Sequence, residues 1–136
     1  MQGARGGDHS EAARLMVRIA LIDDDPVEAL VLEGLLDHVG AGHALSRFAS
    51  VEAFADTADT AFDLVLLDRR VPPHQAFASG LSALARSSYR GPVVLITAGF
   101  CQEGTLDWPG PLHGPVDKGD LLTPERLTGL IERVLI

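Results

Sequence analysis

The stretch that decides the fold is Phe62-Asp63-Leu64-Val65-Leu66-Leu67-Asp68-Arg69-Arg70-Val71-Pro72-Pro73. Four consecutive apolar residues lead to one carboxylate, Asp68, and a Pro-Pro turn follows. A short apolar run with polar residues at both ends is typical of a strand in a parallel sheet that helices cover on both faces. Ligands and chemistry gather at the carboxyl ends of such strands, so we expect Asp68 to be the reactive residue. From this stretch alone, a turn residue or a helix cap is an equally good interpretation of Asp68.

The composition limits the classes of function. The length of 136 residues predicts one domain with a full core of its own. The 19 acidic and 11 basic residues give a net charge of -8, which disfavours nucleic acid and anionic membrane surfaces as partners. The single cysteine, Cys101, excludes an internal disulfide framework. The amino end has no apolar run typical of a signal peptide or a membrane helix, so we expect a cytoplasmic protein.

The amino-terminal part of the chain divides into an extension and the start of the fold. Residues 1–15 are rich in glycine and poor in apolar side chains, which predicts a flexible N-terminal extension, with Met16 as an alternative start. Residues 17–22 are typical of a first strand. Asp25, Pro26 and Glu28 resemble a capping box and predict a helix start, with Asp25 as the N-cap, Pro26 as the first helical residue and Glu28 as the third. We expect this helix to bury an apolar stripe formed by Val27, Leu30, Val31 and Leu35 and widened by Ala29, Leu32 and Leu36.

Strands and helices alternate along the rest of the chain. Gly and Pro residues interrupt the pattern between Gly99 and Pro115, which leaves little room for a regular helix there. The alternation predicts an α/β fold, a doubly wound parallel sheet of about five strands, with all strand ends on one rim. The predicted elements are a strand at 44–48, a helix capped by Ser50, the strand before Asp68, a helix at 81–86, a strand at 92–96, a short strand reaching Lys118, and a helix from Thr123.

That rim collects the residues that carry chemistry. Carboxylates on one rim repel one another unless a cation lies among them, and oxygen ligands of this kind suit Mg2+ or Mn2+. A hydroxyl and an ammonium on adjacent strand ends can hold phosphoryl oxygens. We therefore expect Asp68 to act as a nucleophile that forms an acyl phosphate. The collected residues are Asp23 and Asp24 after strand one, Asp68 after strand three, Thr97 after strand four and Lys118 after strand five.

The order of these five residues resembles the receiver domain of two-component response regulators. The resemblance spans residues 17–136 and implies a flavodoxin-like sheet of order 2-1-3-4-5, with residues 16–136 as the receiver domain. It also implies Mg2+-dependent phosphorylation by a histidine kinase or a histidine phosphotransfer protein. A single-domain regulator of this kind acts by binding a partner, or as a phosphate sink, as a monomer or a weak phosphorylation-dependent dimer. It catalyses its own phosphorylation and is not a turnover enzyme on an external substrate.

The resemblance also implies a role for each site residue. Asp68 is expected to be the phosphoacceptor, Thr97 the hydroxyl that contacts the phosphoryl group, and Lys118 the basic residue. Ala98 leaves space for the phosphoryl group, whereas Asp25 is better explained as a helix cap. The expected metal ligands are Asp23, Asp24, Asp68 and the backbone carbonyl of Arg70.

The sequence departs from the family pattern at its carboxyl-terminal half. Lys118 is followed by Gly119, where the family usually has proline, and Pro115 stands where the family usually has an aromatic residue. The helix expected between the fourth and fifth strands is shortened or irregular, and Trp108 is expected to anchor this segment to the sheet. Two rival functions stay open: a pseudo-receiver that binds partners without phosphorylation, and a phosphohydrolase. The second is weaker because Arg70 stands where such an enzyme would want a second aspartate.

Overall fold

The computed structural model describes residues 17–39, 42–57, 61–99 and 103–135. The predicted extension at residues 1–15, Met16 and Cys101 lie outside the described residues. Five strands form one sheet in the order β2-β1-β3-β4-β5, and all four pairings are parallel. The predicted doubly wound sheet of order 2-1-3-4-5 is therefore confirmed. The strands are β1 (Arg18–Ile22), β2 (Ala44–Phe48), β3 (Leu64–Asp68), β4 (Val93–Thr97) and β5 (Leu112–Asp117).

Helices lie between most of the strands. They are α1 (Pro26–Val39), α2 (Val51–Ala55), α3 (Phe77–Leu84) and α4 (Pro124–Leu135), and a 3-10 turn spans Lys118–Leu121. The caps agree with the sequence: Asp25 accepts a hydrogen bond from the Val27 N–H at 2.9 Å, and Ser50 accepts one from the Ala53 N–H at 3.0 Å. None of the helices in the described ranges is long and apolar enough to cross a membrane.

Each face of the sheet buries its own hydrophobic cluster. The central strands β1, β3 and β4 are apolar on both faces because helices or loops cover both, as their continuous apolar runs predict. On one face, α1 and α4 cover side chains such as Ile19, Leu66 and Ile96. On the other face, α2 and α3 cover side chains such as Val65 and Leu95. The two layers hold the strands in register, which aligns their carboxyl ends on one rim.

The buried face of α1 differs from the predicted one. Ala29, Leu32 and Leu36 are buried, and Leu35 is partly buried. The predicted stripe was wrong at its centre, because Val27, Leu30 and Val31 are exposed. Both sets recur at spacings of three and four residues, so periodicity alone cannot choose between two faces of a helix that is apolar on both.

The segment between β4 and β5 is not a helix over residues 103–111, which confirms the prediction of an irregular connection. Trp108 fixes this segment: its Nε1–H donates to the Gly91 carbonyl at 2.9 Å, and its ring stacks on Tyr89 with centroids 6.2 Å apart. Both contacts confirm the predicted anchoring role of Trp108. The segment therefore packs on the core through the side chains of Leu106 and Trp108.

Candidate functional site

The strand ends bring the predicted site residues together. Asp68 is the last residue of β3, and Thr97 is the last residue of β4. Asp23 follows β1 directly, and Lys118 follows β5. The parallel register pairs Asp68 with Ile96 and Thr97 with Asp117, so the side chains meet at one edge of the sheet.

Lys118, the only lysine of the chain, is the centre of this edge. Its Nζ lies 3.0 Å from Asp23 Oδ2 and 3.1 Å from Asp68 Oδ1. A third carboxylate, Glu28 from the first turn of α1, lies 3.4 Å from the same ammonium. The side chain of Asp23 is 1% exposed and that of Lys118 is 18% exposed, so these contacts are largely shielded from water and are stronger than surface ion pairs.

The acidic residues form a cluster that suits a divalent cation. Asp23, Asp24 and Asp68 each offer a carboxylate oxygen, and these oxygens lie within 4.8 Å of one another. The cluster has one buried, one exposed and one intermediate residue, so it is held by the fold and still reached by solvent. An all-oxygen set of carboxylates fits Mg2+ or Mn2+, which are hard cations, better than zinc.

The pKa values of Asp68 and Lys118 are both raised, for different reasons. Burial raises the pKa of Asp68 above its usual value, and the Asp23 carboxylate adds to this rise while the Lys118 ammonium opposes it. Burial lowers the pKa of Lys118, but its bonds and charge contacts with Asp23 and Asp68 outweigh this effect and raise the pKa overall. Lys118 therefore remains a cation at neutral pH, and burial makes the charged form of Asp68 less favourable.

A cleft of about 210 Å3 opens at this edge. Thr97 is buried and Ala98 is exposed, so a small side chain follows the hydroxyl at the mouth of the cleft. Arg70 is exposed, and its position beside Asp68 places its backbone at the same rim. The residues that line the cleft are Asp68, Arg69, Arg70, Thr97, Ala98 and Lys118.

Three residues near the site were missed by sequence reasoning. Glu28 was interpreted as part of a helix cap, but its carboxylate contacts Lys118 instead. Arg69 Nε donates to Glu103 Oε2 at 2.9 Å, across 34 residues of sequence. Glu28 is in the first turn of α1, next to Asp23 and Asp24, and this position could have suggested that it belongs to the site. No sequence spacing could have suggested the Arg69–Glu103 pair, because Glu103 lies in the irregular segment.

Comparison with known proteins identifies the fold of the chain. No family model matches the chain, and no curated protein matches it either. Solved structures do: CheY4, a chemotaxis response regulator of Vibrio cholerae, is 21% identical with a TM-score of 0.63, and the match covers 88% of this chain and 99% of that one. The receiver domain of the hybrid histidine kinase CckA is 19% identical with a TM-score of 0.62, covering 88% and 99%.

A third similar structure is described with a metal. The receiver domain of the sensor histidine kinase PA1611 from Pseudomonas aeruginosa PAO1, which has a magnesium ion coordinated in its active site cleft, is 20% identical. Its TM-score is 0.60, and the match covers 88% of this chain and 98% of that one. The chain has the fold of response-regulator receiver domains.

Proposed function

We propose that this chain is a response-regulator receiver whose Asp68 accepts a phosphoryl group in a Mg2+-dependent reaction. One observation carries the proposal: the Asp68 carboxylate lies 3.1 Å from the only lysine, in a cleft that Thr97 also lines. A nucleophile, a fixed cation and a hydroxyl around one cleft are the groups that phosphoryl transfer requires. The donor would be a histidine kinase or a histidine phosphotransfer protein.

The reaction follows from the roles of these side chains. An oxygen of Asp68 attacks phosphorus, a P–O bond forms, and the bond from phosphorus to the donor's imidazole nitrogen breaks. The imidazole nitrogen keeps the electron pair and takes up a proton. Lys118 then holds a phosphoryl oxygen through its ammonium, and Thr97 donates its hydroxyl to another. The product is an acyl phosphate on Asp68.

The acidic cluster supplies the place for a cation. Asp23, Asp24 and Asp68 would hold Mg2+ together with the backbone carbonyl of Arg70, and their oxygens fit it as a donor set. When bound, Mg2+ neutralises the charge of the carboxylates and of the phosphoryl oxygens. Asp23 also accepts a hydrogen bond from the Asp25 N–H at 3.0 Å, which fixes its carboxylate before any ligand arrives.

A receiver of this kind acts through protein partners. The chain would catalyse its own phosphorylation and dephosphorylation without turning over an external substrate. It would act by binding a partner protein or by draining phosphoryl groups as a sink, as a monomer or a weak phosphorylation-dependent dimer in the cytoplasm. The strongly negative net charge of -8 argues against nucleic acid and anionic membranes as partners.

A phosphorylation-independent binding module is the second candidate. Pro115 stands where the family usually has an aromatic residue, and residues 103–111 form no helix. Both departures lie in the part of a receiver that reports phosphorylation. They favour a module that keeps the receiver fold and binds a partner through its surface without being phosphorylated.

Intact-protein mass separates the two candidates. The protein is incubated with acetyl phosphate, with and without Mg2+, as wild type, Asp68→Asn and Asp63→Asn. Asp63 is a matched control because it precedes the same strand at the opposite end. We expect a Mg2+-dependent gain of one phosphoryl group in wild type and Asp63→Asn and none in Asp68→Asn. No gain with acetyl phosphate or with a phosphorylated kinase would favour the binding module.

A further inference from the structure

Glu103 joins the irregular segment to two other parts of the molecule. Its Oε2 accepts from Arg69 Nε at 2.9 Å and from the Phe77 N–H at 2.9 Å, and its Oε1 lies 3.3 Å from the Ala78 N–H. The Glu103 side chain is 12% exposed. One carboxylate thus connects the residue after the phosphoacceptor, the start of α3 and the segment that replaces the family's helix.

The start of α3 depends on this carboxylate. The first N–H groups of a helix have no partner within the helix, and Ala76, at the N-cap position, provides no side-chain cap. Glu103 fills this role from a distant part of the sequence, and a carboxylate at a helix N-terminus is also favoured by the helix dipole. Burial raises the pKa of Glu103, but the Phe77 N–H and the Arg69 guanidinium outweigh it and lower the pKa overall.

Arg69 belongs to the reaction cleft as well as to this connection. Arg69 is one of the residues that line the cleft, with Asp68, Thr97 and Lys118, and its side chain is 21% exposed. Within the described residues, Lys118 already faces three carboxylates. A phosphoryl group adds roughly two negative charges, so the cleft then attracts a further cation. A guanidinium binds phosphoryl oxygens through a planar fork of donors.

We propose that Arg69 is a phosphoryl-binding residue. Before phosphorylation its guanidinium is bonded to Glu103, and phosphorylation transfers it from Glu103 to the phosphoryl group on Asp68. This proposal rests on the proposed function of Asp68. A largely buried carboxylate is stabilised less when a guanidinium leaves it, so Glu103 then moves toward water. Glu103 then releases the Phe77 and Ala78 N–H groups, and residues 103–111 loosen from α3.

The transfer provides a readout where the family's aromatic residue is absent. Pro115 has no aromatic side chain that could rotate toward a moving hydroxyl, so Thr97 cannot report phosphorylation through it. Arg69 and Glu103 connect the same cleft to the same region of the surface by a different route. The two anions compete for one guanidinium, and the phosphoryl group wins because it carries more charge and more acceptor oxygens.

Residue-resolved amide hydrogen exchange tests the transfer. The full chain is measured by NMR with Mg2+ alone and with Mg2+ and beryllofluoride, a stable analogue of the phosphoryl group, and the bound fluoride is followed by 19F signals. We expect exchange at the Phe77 and Ala78 amides to rise about tenfold on beryllofluoride binding, as for loss of a hydrogen bond to a charged group. The fluorescence of Trp108, the only tryptophan, should change in parallel.

A surface arginine outside the cleft gives a control for the Arg69 variant. Arg69→Gln should bind beryllofluoride with less than about a twofold change at both amides, whereas Arg126→Gln, which loses only an exposed pair with Asp120, should keep the tenfold response. Glu103→Gln should exchange rapidly at both amides with and without the analogue. Bound fluoride in wild type with unchanged exchange overturns the Arg69 proposal and leaves the function of Asp68 standing. Absence of bound fluoride, together with no gain of mass from acetyl phosphate, overturns both.

Discussion

Replacing Lys118 by methionine tests the electrostatic centre of the site. Methionine keeps most of the unbranched apolar stem and removes only the charged end. The variant leaves the carboxylates of Asp23, Asp68 and Glu28 facing one another without the ammonium that lies within 3.4 Å of each of them. We expect the folded state to lose stability at pH 7 in the absence of divalent cations.

The size of the loss follows from distance and burial. Each contact of 3.0 to 3.4 Å corresponds to about 5 kcal/mol of Coulomb energy at an effective dielectric constant of about 20. The desolvation cost of the ammonium offsets much of this sum. Removing one partner of a buried pair costs roughly 3–5 kcal/mol. Because the Lys118 side chain is 18% exposed, water screens part of the effect, and we expect a loss of about 3 kcal/mol.

Urea denaturation with and without Mg2+ measures this loss. Arg126→Met is the control, because its pair with Asp120 is of similar length, 3.2 Å, but both side chains are more than 60% exposed. The control should lose no more than about 0.5 kcal/mol. Mg2+ should stabilise Lys118→Met more than wild type, since a bound cation restores the missing charge. A loss below about 1 kcal/mol, or equal losses in the two variants, would refute the electrostatic reasoning.

Three further predictions concern single residues. Trp108→Phe removes the Nε1–H bond to Gly91 and should cost about 1 kcal/mol in urea denaturation without preventing phosphorylation. His43 Nδ1 accepts a hydrogen bond from the Val17 N–H, and burial lowers the pKa of His43. The contribution of neutral His43 to the free energy of unfolding should be full above about pH 6.5, the pKa of the unfolded state, and should be lost as the pH falls through the lower pKa of the folded state. His43→Gln should therefore make the free energy of unfolding less dependent on pH in this range. Gly129 is in the middle of α4 with no atom within 4 Å of an added Cβ, so Gly129→Ala should raise the free energy of unfolding by about 0.5–1 kcal/mol in urea denaturation.

The sheet could be predicted because its signals are local. Leu64 to Leu67 and Val93 to Ile96 are continuous apolar runs of strand length, and the structure buries both runs completely. The caps at Asp25 and Ser50 are equally local, since each bonds a backbone N–H two or three residues away. Such features need only the nearest neighbours in sequence, so a single sequence contains them.

The orientation of α1 and the connections of the site depend on contacts between distant residues. Apolar residues cover two faces of α1, and only packing against α4 and the sheet determines that Leu32 and Leu36 are buried. The same holds for Glu28 and Glu103, whose carboxylates bond partners many residues away. The five rim residues were found because parallel topology brings strand ends together, whereas no such rule governs loop side chains.

The irregular segment between β4 and β5 is held in place differently from a helix. A helix between β4 and β5 would satisfy its own backbone and pack as one body. Residues 103–111 are instead held by contacts that include the side chains of Glu103, Leu106 and Trp108. Loop segments open more easily than core strands, so we expect loss of the Arg69–Glu103 contact to loosen this segment. If phosphorylation moves the Arg69 guanidinium as proposed, the Arg69–Glu103 contact is the link between Asp68 and this segment.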